Sequence, residues 1–86
     1  MDMTITQENV KNDLIEIIKS YLSEEIVVSE ISEDNHLIND LKINSAHIVD
    51  IVLDIEDKFG ILIDDDAIGE MNTVQDSIDM VLKKAA

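Results

Sequence analysis

The chain has 86 residues, and 20 Asp or Glu against 6 Lys, with no Arg, give it a formal net charge of −14. Such a surface repels nucleic-acid phosphates and anionic lipids, so neither is an expected partner, whereas basic proteins are. Ile, Leu, Val and Phe supply 30 of the 86 residues, well above the roughly 20% below which highly charged chains are usually disordered. We therefore expect residues 1–86 to fold as one small domain, with residues 1–5 and 83–86 loosely held.

The chain contains no Cys and no Pro, and only two Gly. The lack of Cys excludes disulfides, thiolate metal sites and cysteine nucleophiles. The sequence also lacks a signal-peptide pattern and a run of 18 apolar residues. We expect a cytoplasmic protein that is monomeric and does not insert into membranes.

Apolar residues recur with a helical period in three segments. The first, from about residue 6 to 22, carries Val10, Leu14, Ile17, Ile18, Tyr21 and Leu22 on one face. The second, between Asn44 and Gly60, carries Ile48, Ile51, Val52, Ile55 and Phe59, and its Gly is typical of a C-terminal cap. The third, from about 74 to 84, has Thr73 as N-cap and two Lys at its far end.

The segments between these helices have no helical period. Residues 23–43 are expected to form a long loop, held to the core by Ile26, Val28, Ile31, Leu37, Ile38 and Leu41. The β-branched residues at 26–31 and 61–63 permit short strands, but segments this short form at most a two-stranded ribbon. A single helical turn is predicted at 65–68. The fold class we predict is all-α: a small four-helix bundle of three long helices and one short, with a long loop between the first and second.

Ser45 is the candidate functional residue, because it stands at the start of the second helix, at or next to its N-cap. As an ordinary cap it would accept a hydrogen bond from a free backbone N–H and stabilise the helix by about 1 kcal/mol. The position also suits a phosphate ester, which would meet the positive end of the helix dipole and free N–H donors. Spacing alone leaves both interpretations open.

Several short motifs extend over the chain as far as Leu82: Asp40 to Ala46, Val49, Phe59 to Ile61, Ile63 to Asp65, and Thr73 to Asp76. In these motifs and their spacing the chain resembles an acyl carrier protein. The resemblance implies a four-helix bundle whose serine at the start of helix two carries 4'-phosphopantetheine, and that serine falls on Ser45. It further implies that the thiol of this arm holds acyl groups as thioesters, so a chain without Cys carries sulfur chemistry.

The chain departs from the family pattern around this serine. Where the family usually has Asp-Ser-Leu, the chain has Asn44-Ser45-Ala46, and the acid commonly found two residues after the serine is replaced by His47. Lys42 stands where a glycine is common, and Asp64 where a proline is common. These differences suggest a specialised carrier.

The resemblance assigns Asp50, Leu53 and Asp57 to the helix-two surface with which family members meet basic grooves. Asn44 and His47, beside the serine, complete the predicted partner-binding set, and a protonated imidazole would add positive charge near the phosphate. The implied partners are a phosphopantetheinyl transferase and acyl-transferring or synthase enzymes, with association that weakens as salt rises. Charged runs also serve simply as solvated surface, so this alternative stays open for the acids.

The implied function is that of a carrier without catalytic activity, which delivers acyl intermediates to fatty-acid, lipid or polyketide-type biosynthetic enzymes. Two alternatives remain: an acidic interaction module of the same fold without a prosthetic group, and an aminoacyl or peptidyl carrier. No dedicated metal site is expected, because the acids at 64–66 and Glu70 lack the alternating ligands and the Gly of a calcium loop. They are expected to be solvated surface, with weak, partly occupied cation binding as the alternative.

Overall fold

The computed structural model describes residues 6–85, which contain four α-helices joined by loops. The helices are α1 (Gln7–Ile18), α2 (Ser45–Phe59), α3 (Asp65–Ile68) and α4 (Val74–Ala85), and short 3-10 turns lie at Lys19–Tyr21 and Val28–Glu30. Within residues 6–85 the β-type pairing is limited to one isolated bridge, between His36 and Thr73. The predicted all-α architecture, with three long helices, one short helix and a long loop after the first, is confirmed.

The two ends of α2 are set by local side-chain and backbone chemistry. At its start the Asn44 side chain accepts a hydrogen bond from the N–H of Ala46 at 2.8 Å. At its end Gly60 adopts a left-handed conformation (φ 66°) and donates its N–H to the carbonyl of Glu56. A residue without Cβ takes this conformation at little cost, so the predicted glycine cap is confirmed.

The start of α4 is a reciprocal capping box. The Thr73 hydroxyl accepts from the N–H of Asp76 at 3.0 Å, and the Asp76 carboxylate accepts from the N–H of Thr73 at 3.0 Å. Two backbone donors that a helix start leaves without partners are thus satisfied together. The predicted N-cap at Thr73 is confirmed.

Two boundaries differ from the sequence predictions. The first helix was expected to reach residue 22, but its α-helical part ends at Ile18 and the chain continues as the 3-10 turn Lys19–Tyr21. Residues 83–85, expected to be loosely held, belong to α4, which runs through Ala85, and Ala85 packs against the core. Residues 1–5 and 86, also expected to be loose, lie outside the described residues.

The core is almost entirely aliphatic and is built by one face of each long helix. Its most deeply buried large side chains include Leu14, Ile51, Ile55 and Ile78. Helix α1 packs mainly against α4 and also against α2. Burying each such side chain contributes about 1.5–3 kcal/mol, so this face-to-face packing is what holds the helices together.

The long loop between α1 and α2 is attached to this core along its second half. Ile31, Leu37 and Leu41 are buried as predicted, whereas Val28 and Ile38 are exposed, contrary to their predicted role in pinning the loop. Val28 opens the 3-10 turn Val28–Glu30, and Ile38 lies in a turn that leaves its side chain exposed to solvent.

Polar contacts fix the same part of the loop to the helices. The N–H of Leu37 donates to the carbonyl of Asn72 at 2.8 Å, just before α4. Lys11 on α1 forms a 2.9 Å ion pair with Glu33, and this hydrogen bond lowers the pKa of the Glu33 carboxyl. The segment that leads to Ser45 is therefore anchored to both α1 and the start of α4.

Candidate functional site

The approach to Ser45 contains a strained residue. Lys42 has a left-handed backbone conformation (φ 59°), with Leu41 and Ile43 buried on either side of it. This reversal lets both neighbours point into the core while the lysine side chain stays exposed. The need for a positive φ explains why glycine suits this position, and Lys42 adopts it at a cost of roughly 1–2 kcal/mol.

The turn before Lys42 is organised by His36. Its ring Nδ1 accepts hydrogen bonds from the backbone N–H groups of Ile38 and Asn39, at 3.3 and 3.2 Å. The backbone N–H of His36 donates to the Asp40 carboxylate at 2.6 Å. His36 therefore stabilises the turn that sets the direction of the chain into α2.

Asn44, and not Ser45, fills the N-cap of α2. Its side chain satisfies the N–H of Ala46, and its carbonyl accepts from the N–H of His47 at 2.8 Å. Ser45 is the first residue of the helix and is exposed. The interpretation of Ser45 as the cap itself is wrong, and its hydroxyl is left available at the positive end of the helix dipole.

An exposed apolar strip leads along α2 from this hydroxyl. Val49 and Leu53 follow Ser45 at intervals of four residues and are 52% and 56% exposed. Asp50 and Asp57 are exposed on the same broad side of the helix. The structure thus leaves all five predicted partner-binding residues exposed, with Asp50, Leu53 and Asp57 on one side of α2. Val49, which the sequence pattern placed with the apolar stripe, is exposed as well.

Tyr21 is the residue of this region that sequence reasoning assigned only to the core face of the first helix. Its hydroxyl donates to the Asp54 carboxylate on α2 at 2.7 Å, and its ring lies 5.4 Å from the His47 ring, tilted by 51°. The hydrogen bond to Asp54, followed by partial desolvation and the negative charges of Asp54 and Asp50, raises the pKa of the Tyr21 phenol. The phenol therefore remains a hydrogen-bond donor throughout the neutral range.

The site residues suit an attached phosphodiester. The first turn of α2 contains no acidic side chain, so a phosphate on the Ser45 oxygen meets no carboxylate within that turn. The helix dipole favours the negative charge there, and the exposure of the serine gives a modifying enzyme access to its oxygen.

A separate cleft of about 320 Å³ lies between α3 and α4, on residues that include Asp64, Glu70, Met80 and Lys83. Within the described part of the chain, no group of three or more His, Cys, Asp or Glu side chains is arranged to hold a metal ion. None of the helices in residues 6–85 has both the length and the apolar character needed to cross a membrane.

Sequence comparisons relate the chain to known carriers. A family model described as "Phosphopantetheine attachment site" matches residues 12–81. An acyl carrier protein of Cyanophora paradoxa is 40% identical over 78 residues, covering 88% of this chain and 76% of the relative. An acyl carrier protein of Thermotoga maritima is 34% identical over 76 residues, covering 86% of this chain and 94% of the relative.

Solved structures agree with the sequence matches. An acyl carrier protein from Enterococcus faecalis superposes with a TM-score of 0.76 at 25% identity, covering 92% of this chain and 98% of that one. The crystal structure of an acyl carrier protein from Thermotoga maritima gives a TM-score of 0.78 at 25% identity, covering 96% and 94%. The four-helix arrangement is thus that of known acyl carrier proteins.

Proposed function

Because the chain belongs to the acyl carrier protein family, we propose that Ser45 is the residue that carries its 4'-phosphopantetheine arm. The observation that supports this assignment is the exposed Ser45 hydroxyl at the first residue of α2, with the N-cap role taken by Asn44. The bound arm supplies a thiol that forms thioesters with acyl groups.

In this proposal the chain's own residues hold and present the arm, and the chain has no catalytic activity of its own. The Ser45 oxygen forms the phosphoester bond, and the positive end of the α2 dipole stabilises the charge of the phosphodiester. The Asn44 cap and the anchored loop before it fix the first turn of the helix, so the point of attachment is rigid.

Partner enzymes dock, in this proposal, on the α2 face that follows Ser45. Asp50 and Asp57 meet basic residues of the partner, Leu53 supplies apolar contact area, and Asn44 and His47 lie at the end next to the serine. The partners are a phosphopantetheinyl transferase and acyl-transferring or synthase enzymes of fatty-acid, lipid or polyketide-type biosynthesis. Opposite charges on the two surfaces accelerate their encounter.

Trypsin digestion tests the attachment site directly. Cleavage after Lys42 and Lys58 releases the peptide 43–58, in which Ser45 is the only residue with a hydroxyl group. After incubation with coenzyme A, magnesium and a broad-specificity transferase, we expect one phosphopantetheine on this peptide and none on peptides 20–42 and 59–83. A modification found on either of those two peptides would overturn the assignment, and no modification at all would favour the acidic interaction module.

Charge reversal tests the docking face. We expect Asp50→Lys combined with Asp57→Lys to slow modification by the transferase about tenfold or more, mainly through association, and to remove most of its salt dependence. Glu24→Lys with Glu25→Lys is the matched control, because these loop acids are exposed and the change in net charge is the same. Equal slowing by both double variants would show that only net charge matters and that α2 is not the docking face.

A further inference from the structure

The exposed surface of α2 changes its charge along the helix. The acids begin only at Asp50, in the second turn, whereas the first turn has none. The exposed Lys42 precedes Ser45 by three residues, and the exposed His47 follows it by two. Residues 24–82 contain 16 acids and only two lysines, Lys42 and Lys58. Because Lys42 is close to the serine in the sequence, the start of α2 is less negative than the rest of this region.

The His47 side chain at this end is held in place. Its ring contacts the Tyr21 ring at 5.4 Å in a tilted arrangement of the kind that aromatic pairs prefer. Tyr21 is itself fixed at its other end by the 2.7 Å hydrogen bond to Asp54, two turns further along α2. The phenol therefore lies along the helix, with its hydroxyl on Asp54, its ring at His47 and the charge of Asp50 close by.

This arrangement also alters which charges remain open to a partner. The Asp54 carboxylate is engaged by the phenol, while the groups at the serine end are an ammonium, which only donates hydrogen bonds, and an imidazole, which can donate an N–H. A basic partner group placed opposite this end would be repelled by the Lys42 ammonium. A carboxylate placed there would receive a charge-assisted hydrogen bond from Lys42 and an N–H from His47.

We propose that Lys42 and His47 form a hydrogen-bond-donating, acid-free end of the docking surface that receives a carboxylate of the modifying transferase. The transferase that fits this chain carries mixed charge in its groove: basic residues opposite Asp50 and Asp57, and an acidic residue opposite the first turn of α2. Tyr21 acts as a positioning residue, because its ring contacts the imidazole and its hydroxyl is held by Asp54. This inference rests on the proposed function, since it takes Ser45 as the modified residue.

The test measures kcat and KM for modification by the transferase of the source organism, with coenzyme A as donor. We expect His47→Asp to raise KM about tenfold with little change in kcat, because a carboxylate then opposes a carboxylate. With a broad-specificity transferase that is basic at this position, the same variant should instead lower KM. Asn12→Asp is the control, since it adds a carboxylate at an exposed position on α1 and should leave both constants unchanged.

The role of Tyr21 is tested in the same assay. We expect Tyr21→Ala to raise KM by about threefold, and Tyr21→Phe, which keeps the ring at His47 but loses the hydrogen bond to Asp54, to raise KM by a smaller factor. Helical circular dichroism of all variants is measured alongside, so that unfolding is recognised as such.

The outcomes separate this inference from the proposed function. Modification of the original chain by the source transferase, together with an unchanged KM in His47→Asp, would overturn the mixed-charge surface and leave Ser45 as the attachment residue. No modification of the folded original chain by either transferase would overturn both. Equal KM values in Tyr21→Ala and in the original chain would remove Tyr21 from the surface.

Discussion

Lys42 shows how a single residue couples stability to the geometry of the site. Its left-handed backbone lets both neighbours enter the core three residues before Ser45, and glycine is the residue that adopts such a conformation most easily. We expect Lys42→Gly to stabilise the protein by about 0.5–1 kcal/mol. Relief of roughly 1–2 kcal/mol of strain outweighs the 0.4–1 kcal/mol that glycine adds to the entropy of the unfolded chain.

Urea denaturation measures this difference, and Lys58→Gly is the control. Lys58 lies in the last turn of α2, where glycine is expected to destabilise by about 1 kcal/mol. If the two variants lost the same stability, the backbone at position 42 would not be strained.

At the scale of single residues, the sequence predicts side chains whose role depends on near neighbours. Ser45 at a helix start and Gly60 at a helix end follow from local pattern alone. The role of Tyr21 does not follow from local pattern, because its hydrogen bond to Asp54 joins residues 33 positions apart. Its position in the helical repeat of the first segment is also typical of a core residue. The exposure of Val28 and Ile38 was missed for a related reason: a loop has no period that indicates which apolar residues face inward.

Helix α2 is the element that presents the site, and its first turn depends on one cap. The Asn44 side chain satisfies a backbone donor that would otherwise lack a partner. We expect Asn44→Ala to reduce the free energy of unfolding by about 1 kcal/mol. Thermal and urea denaturation measure the loss, and Asn12→Ala on the exposed face of α1 should cause none, because alanine is the better helix former there.

The same substitution distinguishes Asn44 from Ser45 as the cap. If Ser45→Ala rather than Asn44→Ala cost about 1 kcal/mol, the serine oxygen would be engaged in capping and the cap assignment would be wrong.

At the scale of helices, the sequence predicts existence and position well and precise ends less well. The 3.6-residue period locates α1, α2 and α4, and the single turn at α3 also appears where predicted. The end of α1 was placed too late, because apolar residues that continue the helical spacing fit a 3-10 turn nearly as well. The predicted end of α4 is one residue early, because the polar Lys83 and Lys84 give no indication that Ala85, which follows them, packs against the core.

For the whole molecule, the excess of acids is a cost that the fold leaves largely uncompensated. Within residues 6–85 the ion pairs are those of Lys11 with Glu33 and of Lys19 with Glu16, against a net charge of −14. The radius of gyration is 12.2 Å, so many like charges lie within one Debye length of each other at low ionic strength.

Salt should therefore stabilise the protein. Raising the ionic strength from about 10 mM to about 150 mM shortens the Debye length from about 30 Å to about 8 Å. We expect the Tm to rise by about 4–8 °C for each kcal/mol of repulsion that is screened, and divalent cations to act at lower concentration. Glu24→Gln with Glu25→Gln removes two exposed loop acids and should reduce the response. A Tm that does not change with salt in either protein would contradict this account.

The negative charge is distributed unevenly between the start of α2 and the rest of the molecule. Residues 24–82 contain 16 acids, whereas the residues around Ser45 are Lys42 before it and His47 after it, with no acid from 41 to 49. The sequence shows both facts as a list of charges, but only the folded chain shows that Tyr21 holds the imidazole at that end and engages Asp54.

The central claim is that Ser45 carries the arm, and intact mass spectrometry of two serine variants tests it most directly. After incubation with coenzyme A, magnesium and a broad-specificity transferase, we expect the original chain and Ser29→Ala, a control at another exposed serine, to gain the mass of one phosphopantetheine group. Ser45→Ala should gain nothing while remaining folded. A full mass increase in Ser45→Ala would contradict the account, because the arm would then be attached elsewhere.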